Sequence, residues 1–309
     1  GFACFGSISE ILADLKNHSE EDVKALVKMR FEGLKMLRDL LGDSQVGYEQ
    51  HGGYEVFLIE DKIFEESLDA LAKVNQLLKD VFNQNVFEIK NNSFGFKGVR
   101  NELIFNTLEG QIDTGLMMQS LLKLVHKAGI HILNNFEFQS YQTGNDKVYV
   151  KTNHVNFDSN QLLITTNGFA SAIIKDLKPA RAQVLITSSI PSLQIKGTFH
   201  MHEGYYYFRN IGNRLLFGGG RHLDFDKEST DEMALNNNIQ NELQRILKHQ
   251  ILPNYDYNVE QQWTGIMGVG TKKQPIIKSI HSNVHCGVRL GGMGIAIGCY
   301  VGKQLSKLI

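Results

Sequence analysis

The closing stretch of this chain constrains its fold most, because an apolar strand is followed there by a glycine turn and a helix. The pattern predicts a strand over residues 284–290, a turn at Gly291-Gly292-Met293-Gly294, and a helix from Ile295 to the C-terminus. Gly298 and Gly302 lie inside that helix, where each costs about 1 kcal/mol relative to alanine. We therefore expect close packing of this helix against a neighbouring strand or a flat ligand.

The first turn of this helix carries no acidic side chain. Its N–H groups and the positive end of the helix dipole are therefore free to meet an anion beyond the turn. The alternative is an ordinary strand-turn-helix junction in a packed sheet, and this motif alone leaves both interpretations open.

Helix signals recur through the first 130 residues. Ser19 and Gly42 bracket a predicted amphipathic helix, residues 64–81 have helical periodicity, and Asp113 caps a helix that ends before Gly129. Residues 47–59 predict a hairpin around His51-Gly52-Gly53, in which His51 is a turn residue rather than a ligand.

The pattern then changes to short strands, predicted at 130–133, 136–142, 147–152 and 162–166. Strands dominate from Ala182 onward, with a helix near 229–247. This order predicts an α/β fold combined with an α+β region, in two domains whose segments alternate along the chain.

Composition excludes several classes of function. The net charge is −1 and no basic run occurs, which argues against nucleic acid as a partner. No apolar run is long enough to span a membrane, so we expect a cytoplasmic protein. Three cysteines without metal-ligand spacing (Cys4, Cys286 and Cys299) argue against a zinc site and a disulfide framework, and we expect no metal.

Several segments taken in order resemble the FAD-dependent oxidoreductases of the D-amino-acid oxidase family, closest to glycine oxidase and sarcosine oxidase-like members. The resemblance covers nearly the whole chain and rests on Gly1-Phe2-Ala3-Cys4-Phe5-Gly6, residues 165–170, 179–184, 204–209, 214–221, 263–268 and 274–277, and the turn at 291–294.

The resemblance implies a three-layer FAD-binding domain of the glutathione reductase type, interleaved with a substrate domain built on an antiparallel or mixed sheet. The expected FAD-binding segments are 1–45, 108–178 and 263–309, and the expected substrate-binding segments are 46–107 and 179–262. Family members open with a strand, a G-x-G-x-x-G turn and a helix for the pyrophosphate. We expect this chain to start about 45 to 50 residues into the fold, without that βαβ unit.

The resemblance also implies the cofactor site. The expected FAD-binding residues are Gly1, Phe2, Ala3, Gly6, Asn167, Gly168, Gly265, Gly268, Gly291, Gly292, Met293, Gly294 and Ile295. The family position that can bind flavin covalently through cysteine corresponds to Met267, so we expect a noncovalent cofactor.

Substrate residues follow less directly. Relatives that bind a substrate carboxylate through arginines have them where this chain has Met267 and Gly292, so glycine or sarcosine bound in the same way is not expected. The expected catalytic residues are Tyr205, Arg221 and Met267. Tyr205 could instead belong to an aromatic core strand, and Arg221 could be a surface residue beside Asp224 and Asp226.

The activity implied is oxidation of a C–N bond in a small amine or amino acid by hydride transfer to FAD. The residues do not identify the electron acceptor. Two alternatives remain: a tRNA-modification flavin oxidase of the same fold, and a non-catalytic remnant or interaction module that cannot hold FAD alone.

Overall fold

The computed structural model describes residues 1–309, which form two compact units. Unit 1 comprises Gly1–Phe31, Tyr48–Ile112 and Ala180–Ile266. Unit 2 comprises Glu32–Gly47, Asp113–Pro179 and Met267–Ile309. The fold therefore has the alternation of segments that the sequence predicts.

Unit 1 is built on an eight-stranded mixed sheet. Its strands are β2 (Gly53–Val56), β3 (Phe87–Asn91), β4 (Glu102–Asn106), β10 (Lys178–Thr187), β11 (Thr198–Met201), β12 (Tyr206–Ile211), β13 (Arg214–Gly219) and β14 (Val259–Val269). They are arranged in the order β14-β10-β13-β12-β11-β2-β4-β3. β11 and β2 pair in parallel, and the pairs β10–β13, β13–β12, β12–β11, β2–β4 and β4–β3 are antiparallel.

Two apolar clusters pack on this sheet. One joins buried Phe199, Phe208 and Phe217 to the helix α6 (Asn237–Ile246). The other joins Phe5 and Ile104 to residues of four helices: α1 (Ile8–Leu15), α2 (Glu20–Leu41), α3 (Ile63–Leu77) and α4 (Lys79–Phe82). A separate short pair, β1 (Phe2–Ala3) with β5 (Gly110–Gln111), is antiparallel.

Unit 2 contains two three-stranded sheets. In the first, β16 (Val284–Val288) lies between antiparallel β15 (Ile276–His281) and parallel β9 (Leu162–Ile164). The second is an antiparallel meander of β6 (Phe138–Thr143), β7 (Val148–Thr152) and β8 (Asn156–Ser159). Buried Val148, Val150 and Ile164 share a core with residues of β15 and β16.

Two helices, α5 (Thr114–Lys127) and α7 (Gly294–Leu305), complete unit 2 with the second half of α2. Gly33 of α2 lies against the backbone of α7, where an added Cβ would overlap the carbonyl of Ala296. A glycine at this position therefore permits the two helices to approach closely.

None of the helices combines the length and the apolar character needed to cross a membrane.

The helices follow the sequence signals closely. The predicted helix after Ser19 is observed as Glu20–Leu41, with Gly42 at φ 86°. Asp113 caps α5 by accepting a hydrogen bond from the Leu116 N–H at 3.0 Å. The predicted helix near 229–247 is shorter and begins at Asn237, where the Asn236 side chain accepts from Asn238 N–H.

Two local predictions are wrong. Residues 47–59 do not form a hairpin, because Glu49 bridges to Gln111 and β2 pairs with β4 and β11. Residues 130–133 form no strand and have exposed apolar side chains, among them Ile130 and Leu133. Alternating apolar residues mark a chain that can pair, but the partner strand is chosen by the tertiary fold.

The compact units also differ in one respect from the predicted domain bounds. Residues 1–31 cluster with unit 1, because Phe5, Ile8 and Ile11 pack in the same core as Phe64 and Val74. The assignment of FAD-binding and substrate-binding roles to segments stays a prediction.

Candidate functional site

The glycine turn after β16 is held by the two neighbouring segments of unit 2 that the sequence also singled out. The Gly291 N–H donates to the Gly268 carbonyl at 2.9 Å, and the Leu290 N–H donates to Asn167 Oδ1 at 3.1 Å. Asn167 has a left-handed backbone with φ 48°. These bonds bring Asn167, Gly268 and the turn together; their role in binding the cofactor stays a prediction.

This turn is open on the side where side chains would project. A Cβ added at Gly291 would meet no heavy atom within 4 Å, and one added at Gly292 would meet only Met267 Sδ, at 3.8 Å. The space beside Gly291 and Gly292 is therefore not filled by side chains of the surrounding core, and the assignment of this turn to the cofactor stays a prediction.

The same openness corrects one expectation about α7. An added Cβ at Gly298 or Gly302 would meet nothing within 4 Å, so no neighbouring strand explains these glycines. No residue of unit 2 packs closely against these two glycines to offset their conformational cost. Contact with a flat ligand or another polypeptide segment stays a prediction.

The start of α7 has the electrostatic character that the sequence predicts. Met293 is the N-cap residue, no side chain caps the helix, and its first turn has no acidic residue. The first N–H groups of a helix have no intrahelical acceptors and carry the positive end of the dipole. These residues therefore fit an anionic or carbonyl-rich group such as the flavin pyrimidine ring.

Gly268 is a glycine for a different reason. A Cβ at this position would overlap Asn167 Oδ1 and come within 3.0 Å of the Gly168 N–H nitrogen. Any side chain would therefore displace the amide that holds Leu290.

Arg289 precedes the turn, and no sequence motif indicates its structural role. It is buried, has a backbone φ of 64°, and donates from Nε to the Gln274 carbonyl at 2.8 Å.

In unit 1, the first residues of the chain lie beside the face of the large sheet that carries His200 and Tyr207. The Phe2 ring centroid is 5.5 Å from that of His200 and 5.4 Å from that of Tyr207. Burial raises the pKa of Tyr207 to about 12, so its hydroxyl is neutral. Burial also lowers the pKa of His200, which favours the uncharged ring.

Gly6 ends this segment at φ 126°, a value that favours glycine. The next residue, Ser7, opens α1 with a capping box in which Glu10 accepts from the Ser7 N–H at 3.0 Å. Arg30 of α2 donates to the Phe5 carbonyl at 3.1 Å. The path of residues 1–7 is therefore fixed by contacts on both sides.

Tyr205 and Arg221 are also close together in unit 1. Tyr205 lies in the turn before β12 and is 39% exposed, so it does not belong to an aromatic core strand. Its ring is 4.8 Å from His222 and 6.0 Å from Phe225. The Arg221 guanidinium carbon lies 4.8 Å from the centre of the Phe225 ring.

Neither neighbouring aspartate forms an ion pair with Arg221. Asp224 pairs with Lys227 at 3.4 Å, and its pKa is lowered chiefly by the hydrogen bond from Asn236. The guanidinium thus has an aromatic partner and no carboxylate partner. The N–H groups of the Arg221 guanidinium are therefore available to bind an anionic ligand.

The three glycines before Arg221 are explained by close packing within the protein, and not by an approach of the backbone to a ligand. A Cβ at Gly218 would come within 2.7 Å of the Tyr207 ring, one at Gly219 would overlap the Tyr205 carbonyl, and one at Gly220 would crowd Ile239. These glycines make room for the protein's own chain.

A buried ion pair holds the segment that follows Arg221. Arg181 donates to Glu228 through two nitrogens, at 2.7 and 3.1 Å, and both side chains are buried. Gln183 and Asn236 donate to the same carboxylate, at 3.0 and 2.9 Å. The loop between β13 and α6 is therefore anchored to β10.

β14 carries the predicted cofactor residue Gly265 and the only tryptophan of the chain, Trp263. Gly265 belongs to unit 1, and an added Cβ there would meet nothing within 4 Å. Trp263 is 39% exposed and is therefore not a core residue. The remaining predicted residues divide by unit: Gly1, Phe2, Ala3, Gly6, Tyr205 and Arg221 in unit 1, and Asn167, Gly168, Met267, Gly268, Gly291, Gly292, Met293, Gly294 and Ile295 in unit 2.

An open glycine turn that leads into an uncapped helix, in a unit whose segments alternate along the chain with those of a mixed-sheet unit, fits the class of flavoprotein oxidoreductases. The sequence profile of the family described as FAD dependent oxidoreductase matches residues 4–308. The chain belongs to this family, and its cofactor is FAD. No curated protein matches the chain.

Solved structures agree with this fold. Iminodiacetate oxidase from Chelativorans sp. BNC1 superposes with a TM-score of 0.76 at 16% identity, covering 99% of this chain and 84% of the other. Glycine oxidase from Geobacillus kaustophilus has a TM-score of 0.74 at 14% identity, covering 92% and 78%. L-proline dehydrogenase from P. horikoshii has a TM-score of 0.73 at 16% identity, covering 92% and 79%.

Proposed function

We propose that this FAD-dependent oxidoreductase oxidises a C–N bond of a small amine or amino acid that carries a carboxylate. The observation that carries the proposal is the open turn at residues 291–294, which leads into the uncapped start of α7. The similar structures bear the names of enzymes for glycine, L-proline and iminodiacetate, and we extend their common substrate class to this chain.

The residues of unit 2 would bind the cofactor without a covalent bond. The N–H groups at the start of α7 would donate to the flavin, and the small residues at 291 and 292 would let its ring approach the backbone. Met267, which lies beside Gly292, offers a thioether and no nucleophile for attachment. When bound, FAD supplies the two-electron acceptor for a hydride from the substrate carbon.

The residues of unit 1 would bind the substrate. Arg221 has no acidic partner within ion-pair distance, so its guanidinium can form a charge-assisted pair with a substrate carboxylate. Phe225 lies against the guanidinium, and Tyr205 packs on both Phe225 and His222. This aromatic group favours a substrate with an apolar side chain. Met267 and Gly292 replace arginines of relatives, so Arg221 takes over the anchoring role in this proposal.

Unit 2 also has a free strand edge and exposed apolar side chains. β9 pairs only with β16, so its second edge is free, and Leu163 on it is 39% exposed. The helix α5 of the same unit exposes Leu116, Met118 and Leu122. We propose that a βαβ segment for the ADP half of FAD pairs with the free edge of β9, since an unpaired strand edge with exposed apolar residues marks a docking site.

The test of this function begins with the absorbance spectrum of the purified protein. We expect bands of oxidised flavin that are released by denaturation, because the cofactor is noncovalent. Bleaching of these bands under anaerobic conditions by one member of a panel of amino acids and secondary amines identifies the substrate class. The same measurement in the presence and absence of an added βαβ segment tests the βαβ proposal.

Two variants separate a specific role of Arg221 from a general effect of charge. Arg221→Ala should raise KM for a carboxylate substrate by about tenfold or more, whereas Arg245→Ala removes an arginine that is already paired with Glu242 and should leave KM unchanged. A protein that holds FAD but is bleached by no amine would contradict the proposal and favour a different flavin activity.

A further inference from the structure

A small internal cavity of unit 1 is lined by polar side chains that the proposed chemistry does not use. It lies among β2, β4, β11 and the start of α1, and Glu55, Glu109, Asn106, His200 and Ser7 contribute to its wall. The space open to the centre of a water molecule is about 10 Å³. This is close to the minimum that holds one bound water.

Glu55 is buried in this wall with hydroxyl and amide donors around it. Its carboxylate accepts from Ser7 Oγ at 3.1 Å, from the Ser9 N–H at 3.2 Å and from Ser9 Oγ. All of these donors are neutral, so no cation balances the charge of this carboxylate.

Glu109 is equally buried and equally without a cation. Its Oε1 accepts from the Phe5 N–H at 3.0 Å. Its carboxylate also lies directly against Gly53, where any added Cβ would overlap Oε2. A glycine at 53 therefore makes the space that this carboxylate occupies.

The other charged and titratable groups around the cavity do not neutralise the pair. Glu10 of α1 adds negative charge, and the buried Cys4 thiol has a pKa raised well above its usual value by burial. Arg30 of α2 donates to the Phe5 carbonyl rather than to a carboxylate. On β2, Tyr54 has a pKa raised by burial, so its phenol is neutral.

Two buried nitrogen atoms of the cavity wall have no hydrogen-bond partner. They are Nδ2 of Asn106 and Nε2 of His200, on residues that are 3% and 8% exposed. Leaving a buried polar atom without a partner costs about 1 to 3 kcal/mol. A water molecule in the cavity would remove this cost, since it can accept from one nitrogen and donate to a carboxylate.

We propose that this cavity is a buried proton-binding site, in which an ordered water bonds to Asn106 and His200 and the carboxyls of Glu55 and Glu109 together hold a proton at neutral pH. Two ionised carboxylates without a cation are strongly disfavoured in a buried space, so one of them takes a proton. Burial raises the pKa of Glu109 to about 8 and that of Glu55 to about 7, which supports the same conclusion.

Infrared spectroscopy of the protein tests the proton without using FAD or substrate. We expect the band of a protonated carboxyl group at pH 7, shifted by ¹³C-glutamate labelling, which is lost as pH rises above 8. Glu109→Gln should remove or shift this band, whereas Glu60→Gln, on an exposed residue, should leave it unchanged. If Glu109→Gln does not fold, the pH titration of the labelled wild-type protein still decides.

The absence of a labelled carboxyl band in the folded wild-type protein at pH 7 would overturn the proposal. A crystal structure with the cavity empty and no water on Asn106 Nδ2 would also overturn it. A protein that shows the band but oxidises no amine would remove the proposed function and leave the proton-binding site intact.

Discussion

Replacement of Glu109 by glutamine should make the protein less sensitive to alkaline pH. Glu109 is buried, and desolvation is the largest cause that raises its pKa from 4.5 to about 8 in the folded state. Between pH 4.5 and about pH 8, the folded protein therefore holds a proton on Glu109 that the unfolded chain has already released. Stability due to this group is fully present below pH 4.5 and is lost as pH rises through 8.

Each pKa unit corresponds to ~1.4 kcal/mol, so the rise of Glu109 corresponds to an upper bound of ~5 kcal/mol. Entry of water or local rearrangement would reduce this figure. A difference of ~2 kcal/mol would still be a large part of the 5 to 15 kcal/mol that stabilises a typical domain. Glu109→Gln keeps an acceptor for the Phe5 N–H and never ionises, so the pH-dependent loss should be absent from this position.

The assay is urea denaturation at a series of pH values from 5 to 9, for wild type, Glu109→Gln and the exposed control Glu60→Gln. We expect the free energy of unfolding of the wild type to fall over this range, and that of Glu109→Gln to fall less. The pH dependence that remains in Glu109→Gln should come from Glu55, because burial also raises the pKa of Glu55, to about 7. Parallel curves for wild type and Glu109→Gln would refute the reasoning.

Four other variants test three separate parts of the structure. Arg181→Ala should lower the free energy of unfolding by about 3 to 5 kcal/mol, because it leaves the Glu228 carboxylate buried without its cation, and thermal denaturation would measure this. Gly291→Ala should cost only about 1 kcal/mol, since φ is 58° but the space is open, whereas Gly268→Ala should cost more by displacing Asn167; urea denaturation of both variants would rank them. Arg221→Lys should restore less than half of the binding lost in Arg221→Ala, measured as KM, because lysine cannot form the bidentate pair. Equal costs for the two glycine variants, a stable Arg181→Ala protein, or full rescue by lysine would each contradict the corresponding interpretation.

Local signals explain what the sequence determined by itself. Ser19 and Gly42 set the ends of α2, Asp113 caps α5, and the run from Val284 to Gly294 is a strand, a turn and a helix start as predicted. Capping bonds and glycine at positive φ act within a few residues, so a sequence pattern is enough to predict them. The family was also predicted, because its short motifs occur in order along the chain.

Only the tertiary structure decided which distant residues meet. It pairs Glu55 with serines 46 and 48 positions away and Glu109 with an amide 104 positions away, and neither carboxylate has a motif of its own. It also replaces the expected hairpin at residues 47–59 by pairing of β2 with β11. The physical reason is that burial, pKa and strand partner depend on what the folded chain packs against each residue, and that information is spread over the whole sequence.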